Sequence, residues 1–345
     1  HLSIRRQRQM CIRDRSYSFT AGEDTYVVRS RATDVAGNQQ AVYGQGIFTH
    51  DVSPPQSEIG TVGFFNNPDT WPGLVGSASD LLSGVASVEI TLQRALDDLY
   101  YNGSSWSPTV TWLRASGTTS WSFPFTPAVE TRYTVNSKAT DGCGNVQSVP
   151  GTGAFTYDTT APGPPFNLSV MPSNWSKFNS FNLSWNNPAD RSGIVAAHYK
   201  WDTAPINNDD ESSGSPAVGE GINHISGLTV ATQGTHQLFL WLEDMAGNVN
   251  FQTRNATSAG AFKWDAVPPA TSLVGLVATQ GCAGWYTSTV LVSLSAVDVN
   301  PDPERINATS GISATFWRQD GGSWQRLLTS TFEIAGEGPH TVEYY

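Results

Sequence analysis

The chain has little cysteine, little charge and no long apolar run. Its three cysteines, Cys11, Cys143 and Cys282, stand far apart, so no disulfide framework is indicated and the cores must hold by burial alone. Lys and Arg number 19 against 30 Asp and Glu, a formal net charge of −11. An acidic chain without a basic patch excludes nucleic acid and an anionic membrane face as partners. No apolar run approaches the roughly 18 residues a spanning helix needs, and no long stretch carries a capped 3.6-residue period. The motifs of familiar catalytic sites are absent: there is no His-Glu-x-x-His, Gly-x-Ser-x-Gly, Walker loop or Cys-x-x-Cys. Paired carboxylates such as Asp97-Asp98 and Asp209-Asp210-Glu211 lie in polar, loop-like stretches, with no cleft indicated that would tune them for acid–base work. The chain reads as non-enzymatic.

Repetition is what the chain does have. "TDVAGN" (33–38), "TDGCGN" (140–145) and "EDMAGN" (243–248) share an Asp-x-x-Gly-Asn core. A second motif, Gly-x-Phe-x-ring-Asp, ends at Asp51, Asp158 and Asp265, a constant spacing of 107 residues. Proline-bearing joints follow each copy: "VSPP" (52–55), "TTAPGPP" (159–165) and "AVPP" (266–269). A period of this length means tandem domains, each with its own core. The expected divisions are the C-terminal part of a truncated repeat (16–51), complete repeats at 52–158 and 159–265, and a repeat truncated at its C-terminus (266–345). Residues 1–15 match no repeat, and Met10 to Arg15 reads like a translated sequencing adapter. They are expected to be a non-native artefact. Setting aside their five Arg and one Asp leaves a net charge of −15.

Local patterning predicts strands almost throughout. Phe181, Leu183 and Trp185 alternate with polar neighbours, as do Val290, Val292, Leu294 and Ala296, and Tyr133 and Val135 share a face with Ser137. Period two marks a half-buried antiparallel strand. In "VEITLQRALDDLYYN", Val88, Ile90 and Leu92 begin a strand that a long loop follows. A Ser-Gly turn between two alternating strands recurs at "SDLLSGV" (79–85), "ADRSGI" (189–194) and "NATSGI" (307–312). Short strands with frequent turns in units of this size suggest a β-sandwich.

The order and period of these landmarks over residues 16–345 resemble tandem bacterial immunoglobulin-like and fibronectin type III-like repeats of surface and secreted proteins. "LSWNNP" (183–188) makes the third unit most similar to fibronectin type III. The resemblance implies an all-β fold of antiparallel sandwiches joined by short proline-bearing linkers. It implies an extracellular or cell-surface setting, and a structural, spacer or adhesive role with a protein or polysaccharide ligand. Two alternatives stand beside it: an accessory region of an extracellular hydrolase, and a carbohydrate-binding module using Trp106, Trp112, Trp121 or Trp324.

In such a sandwich the Asp-x-x-Gly-Asn motif is the corner between the last two strands. Asp34, Asp141 and Asp244 close an Asx turn, Gly37, Gly144 and Gly247 supply positive φ, and Asn38, Asn145 and Asn248 tolerate the left-handed region. Eight residues before each Asp stands Tyr26, Tyr133 or His236, where a tyrosine corner ties down a loop. The same end of the fold gathers the linker and the turn before the third strand. Asp51 is therefore expected near Asp80 and Asp141, and Asp158 near Asp190 and Asp244, as candidate ligands of an interdomain calcium ion. Solvated turn aspartates are the competing expectation. No other cofactor is expected. Asp298, Asn300 and Asp302 are spaced like the opening of an EF-hand loop, but Pro303 replaces its Gly and Thr309 its bidentate Glu.

Overall fold

The computed structural model describes residues 22–299 and 309–345. The adapter-like segment 1–15 lies outside them, as do Asn300, Asp302 and Pro303 of the EF-hand-like stretch. The chain divides into two compact units, His1–Tyr157 and Asp158–Tyr345. No helix among the described residues is long and apolar enough to cross a membrane.

The first unit opens with β1 (Asp24–Ser30) and β2 (Gly44–His50), an antiparallel pair in register from Asp24–His50 to Ser30–Gly44. A two-sheet sandwich follows. Its strands are β3 (Gln56–Ile59), β4 (Gly63–Phe65), β5 (Leu74–Ser79), β6 (Val85–Arg94), β7 (Tyr100–Tyr101), β8 (Trp106–Ser107), β9 (Leu113–Arg114), β10 (Ser116–Gly117), β11 (Ser120–Phe123), β12 (Thr131–Asp141) and β13 (Gly151–Tyr157). One sheet runs β10-β11-β5-β3, the other β4-β13-β12-β6-β7-β8 with β9 beside β6. The polar segment after β6, expected as a long loop, thus returns as short strands on the sheet edge.

The inner faces are those the alternation marks. Val88, Ile90 and Leu92 on β6 and Tyr133, Val135 and Ser137 on β12 are all at most 1% exposed. All but Ser137 meet Leu74 and Trp121 from the other sheet in one core. Trp121 lies flat against the strand at Gly76 because that residue has no side chain; a Cβ there would sit 2.2 Å from the indole. Its Nε1 donates to the Ser77 carbonyl at 3.1 Å. A buried ring of this size, with its N–H satisfied, is a packing element of the core.

The second unit holds two more sandwiches. The strands of the first are β14 (Phe166–Met171), β15 (Phe181–Asn186), β16 (Ile194–Trp201), β17 (Ala217–Val218), β18 (His224–Leu228), β19 (Gly234–His236), β20 (Leu238–Asp244), β21 (Asn255–Ala256) and β22 (Phe262–Trp264). Sheet β14-β15-β18 faces β17-β16-β20-β21, with β19 paired to β22. Phe181, Leu183, Leu238, Leu240 and Phe262 are fully buried between them. The last sandwich has β23 (Ala270–Val277), β24 (Val290–Val297), β25 (Phe316–Gln319), β26 (Gln325–Arg326), β27 (Thr331–Ile334) and β28 (Val342–Tyr344), in sheets β23-β24-β27 and β26-β25-β28. Its core is smaller, centred on Val292, Leu294 and Phe332. Every sandwich is of the immunoglobulin-like and fibronectin type III-like class, all-β and tandem.

Candidate functional site

The repeated corner is built by a register irregularity. In the second repeat β12 pairs with β6 residue for residue until Thr140, then slips at Asp141, which faces Val85. In the third repeat β20 meets β16 with the same slip, and Asp244 faces Ile194. The slip brings the corner against the turn before the third strand. Gly142 N donates to the Gly84 carbonyl at 2.9 Å, and Met245 N to that of Gly193 at 2.8 Å.

Gly37, Gly144 and Gly247 adopt φ of 90°, 95° and 86°, as the turn reading requires. The asparagines do something the sequence reading missed. None takes the left-handed region. Instead each side chain is a donor: Asn145 Nδ2 gives 2.8 Å to Asp141 Oδ2 and 3.0 Å to the Asp51 carbonyl. Asn248 Nδ2 gives 2.8 Å to Asp244 Oδ2 and 2.8 Å to the Asp158 carbonyl. Asn38 Nδ2 likewise bonds Asp34 Oδ2 at 2.8 Å. The backbone N–H groups of Asn38, Asn145 and Asn248 each add 2.8 Å to Oδ1 of the same aspartate. The corner Asn is therefore the clamp on the incoming linker.

The linker aspartates are buried, Asp51 at 6%, Asp158 at 1% and Asp265 at 8% exposed. Each makes the same two bonds. Oδ1 accepts from the residue two positions on (Ser53, Thr160, Val267), each at 3.2 Å. Oδ2 accepts from the backbone of the turn serine, Ser83 at 3.0 Å, Ser192 at 3.0 Å and Ser310 at 2.7 Å. The turns close on their own aspartates as well: Asp80 Oδ1 takes Leu82 N and Gly84 N, and Asp190 Oδ1 takes Ser192 N and Gly193 N. In the fourth repeat Asp298 fills this place, accepting from Gly311 N. Its position outside "NATSGI" hid it, because an insertion separates it from Ser310. Asp265 was legible in the 107-residue period.

The six predicted ligands come together as two groups. One oxygen each of Asp51, Asp80 and Asp141 lies within 4.8 Å of the others, and so for Asp158, Asp190 and Asp244. At that separation and an effective dielectric of 20, like charges repel by about 3.5 kcal/mol per pair. The converging N–H donors offset part of this. Their balance differs between the copies. Burial pushes the Asp141 carboxyl up, but the Asn145 side chain and the backbone N–H groups of the corner outweigh it, and the net shift is downward. At Asp244 burial wins, helped by the charges of Asp190 and Asp158, and its pKa is raised.

At the opposite end of each sandwich lies the ring eight residues before the corner. Tyr26 Oη donates to the Gly22 carbonyl at 3.0 Å and Tyr133 Oη to that of Val129 at 2.8 Å, the i−4 tie of a tyrosine corner. His236 Nε2 makes the equivalent bond to Thr232 at 2.8 Å.

Of the candidate sugar platforms, Trp121 is in the core, and Trp112 lies under the Lys138 ammonium at 4.2 Å. Trp106 lines a cleft of about 620 Å³ with Trp71, Tyr101, Phe125 and Tyr133. Trp324 is 40% exposed beneath Arg318.

No protein-family profile and no curated protein sequence matches the chain. Similar solved structures include a tetra-tandem repeat from the extending region of a large adhesion protein, at 18% identity over 93% of this chain and 77% of that one, TM-score 0.28. The FN1–FN3 domains of chicken CNTN1 match at 12% identity over 64% and 71%, TM-score 0.34. Fibronectin(III)-like modules of Clostridium thermocellum CbhA match at 14% identity over 58% and 91%, TM-score 0.28.

Proposed function

We propose that this chain is a non-catalytic spacer or adhesive region of a secreted or cell-surface multidomain protein, made to carry load through its tandem β-sandwiches. The observation that supports this reading most directly is the linker aspartate. Three times, the aspartate that ends the Gly-x-Phe-x-ring-Asp motif is buried and held by the backbone N–H of a turn serine. In two of these the corner Asn also clamps the linker carbonyl. At Asp51 and Asp265 no residue intervenes between the end of the strand and the anchored carboxylate, so tension along the backbone would reach the hydrogen-bonded turn directly. Pulling the full chain by its ends tests this. Each complete repeat of 107 residues should release roughly 350 Å of contour in its own step. A single cooperative rupture without that step would overturn the reading.

A second reading concerns the joints. Asp80 and Asp190 receive their backbone donors on Oδ1 alone, and each stands within 4.8 Å of two buried carboxylates. Such a set supplies the hard oxygen donors calcium takes, with carbonyls and water completing the six to eight required. Calcium at a hundredfold its Kd would stabilise a repeat by about 2.7 kcal/mol, a melting shift of about 10 °C for a domain of this size. The full chain melted with calcium and with chelator measures it, and superimposable curves sink the calcium reading while leaving the spacer reading intact.

A further inference from the structure

The Gly-x-Phe-x-ring-Asp strand has the same two neighbours in both complete sandwiches. In the second repeat β13 runs antiparallel to β12, with Phe155 opposite Tyr133, and parallel to β4, with Phe155 opposite Gly63. In the third, β22 runs antiparallel to β19, with Phe262 opposite His236. On its other side β22 meets Ser176 in parallel through two backbone bonds of 2.9 Å, Ser176 N to the Lys263 carbonyl and Asp265 N to that of Ser176. The phenylalanine enters the core each time, and both rings are fully buried. Phe155 stacks on Tyr133 at 4.9 Å, and Phe262 meets Phe181 edge-on at 5.4 Å.

The fourth sandwich has both neighbours. His340 takes the place of His236: its Nδ1 meets Asp320 Oδ2 at 2.7 Å, as His236 Nδ1 meets Asp202 Oδ2 at 2.7 Å. Trp285 stands five residues before Val290, which opens β24, as Ser176 stands five before Phe181, which opens β15. Both Trp285 and His340 line a cleft of about 1040 Å³. Its floor is apolar, formed by Val290, Ile334 and Val342, which pack against the core. Trp285 is 58% and Tyr286 39% exposed along one wall. Both walls offer backbone. Among the described residues β28 pairs with β25 on one edge only. The hairpin before β24 is bonded by Gly281 N to the Trp285 carbonyl and Thr287 N to that of Thr279. Pairing of that kind turns the N–H and C=O of the intervening Tyr286 to the opposite edge. Glu333 and Glu337 also line the cleft, and no Lys or Arg does.

We propose that this cleft receives an extended segment of a partner protein, which adds a strand beside β28 as β13 and β22 do in their own sandwiches. Strand addition of this kind takes affinity from main-chain hydrogen bonds and specificity from pockets for alternate side chains. The apolar floor calls for a large ring at the inward position, the place of Phe155 and Phe262. The acidic lining calls for a basic residue at the outward position next to it, because a like charge there would face Glu333 and Glu337. β22 itself carries that pattern, with Lys263 directly after Phe262. The motif strands of this chain are already engaged: β13 and β22 are built into their own sheets, and β2 is paired along its whole length with β1. The proposal goes beyond the load-bearing reading and does not depend on it, since pulling reports on the joints and binding reports on the edge of β28.

The test uses the full chain and a labelled synthetic peptide with the sequence of residues 258–266, Ser-Ala-Gly-Ala-Phe-Lys-Trp-Asp-Ala. Fluorescence anisotropy measures binding, and hydrogen–deuterium exchange read by mass spectrometry locates it. With free peptide at about ten times its Kd, exchange at residues 338–345 should slow about tenfold, while residues 131–141 and 238–244 keep their rates. Phe262→Asp in the peptide should weaken binding by about tenfold or more, the value of burying one large apolar side chain. Lys263→Glu in the peptide should weaken it about threefold at low salt, and the difference should shrink as salt is added. Glu337→Lys in the chain should reverse that preference. Absence of binding at about 1 mM peptide, protection confined to segments other than 284–290 and 338–345, equal affinity for the Phe262→Asp peptide, or an unreversed preference in Glu337→Lys would each overturn the proposal.

Discussion

Asn248→Ala removes one nitrogen that serves two buried acceptors. Nδ2 stands 2.8 Å from Asp244 Oδ2 and 2.8 Å from the Asp158 carbonyl, and those two residues are 0% and 1% exposed. Losing the bond to a charged acceptor costs about 1.5–3 kcal/mol, and the carbonyl adds about 1 kcal/mol. The expected loss is therefore about 3 kcal/mol, confined to the third repeat. Asn38→Ala deletes the same contact, 2.8 Å to Asp34 Oδ2, at an exposed corner where water replaces it, so its cost should stay below about 1 kcal/mol. Because several domains unfold in one chain, a single melting curve does not isolate the effect. Peptide-resolved hydrogen exchange of the full chain does: protection of residues 238–244 should drop about a hundredfold in Asn248→Ala, with residues 131–141 unchanged. A drop below about fivefold, or an equal drop after Asn38→Ala, would refute the claim that burial gives this clamp its strength.

Further outcomes follow from the same geometry. Gly76→Ala places a Cβ 2.1 Å from the Glu58 carbonyl oxygen and 2.2 Å from the Trp121 ring. Backbone and a buried indole cannot both yield, so the second repeat should lose about 3 kcal/mol in chemical denaturation monitored by Trp fluorescence. Tyr133→Phe keeps the ring and deletes the 2.8 Å bond to Val129, costing about 1 kcal/mol by the same measurement. Acidification should act oppositely on the two corners. The lowered Asp141 contributes stability above its unfolded pKa and loses it as pH falls through the folded value, whereas the raised Asp244 is relieved of charge as pH falls. Exchange at residues 238–244 should therefore slow as pH falls toward about 3.9, whereas exchange at residues 131–141 should quicken only below that value, after intrinsic correction.

Much of the site was legible before any coordinates. The 107-residue period located the linker aspartates, and the Asp-x-x-Gly-Asn pattern located the corner, because turn chemistry is local and leaves its residues in the sequence. The grouping of Asp51 with Asp80 and Asp141 followed from which loops share an end of the sandwich. What was illegible was the direction of a side chain. Nothing in "GN" says whether the Asn adopts an unusual φ or lends its amide to a carbonyl some 90 positions away, as Asn145 does to Asp51 and Asn248 to Asp158. Asp298 was hidden for a related reason: an insertion moves it in sequence without moving it in space.

The sequence by itself determined an all-β chain of tandem sandwiches, since period-two alternation and recurrent turns are imposed within a few residues. It also determined which faces are buried. Only tertiary structure decided how equivalent positions came to differ. Asp141 and Asp244 share one motif, yet their pKa values move in opposite directions because burial and neighbouring carboxylates weigh more heavily on the second. Histidine stands in for tyrosine where Asp202 and Asp320 reach the ring. Local sequence selects a turn; the charge a turn can carry depends on the dielectric and the donors that distant segments bring to it.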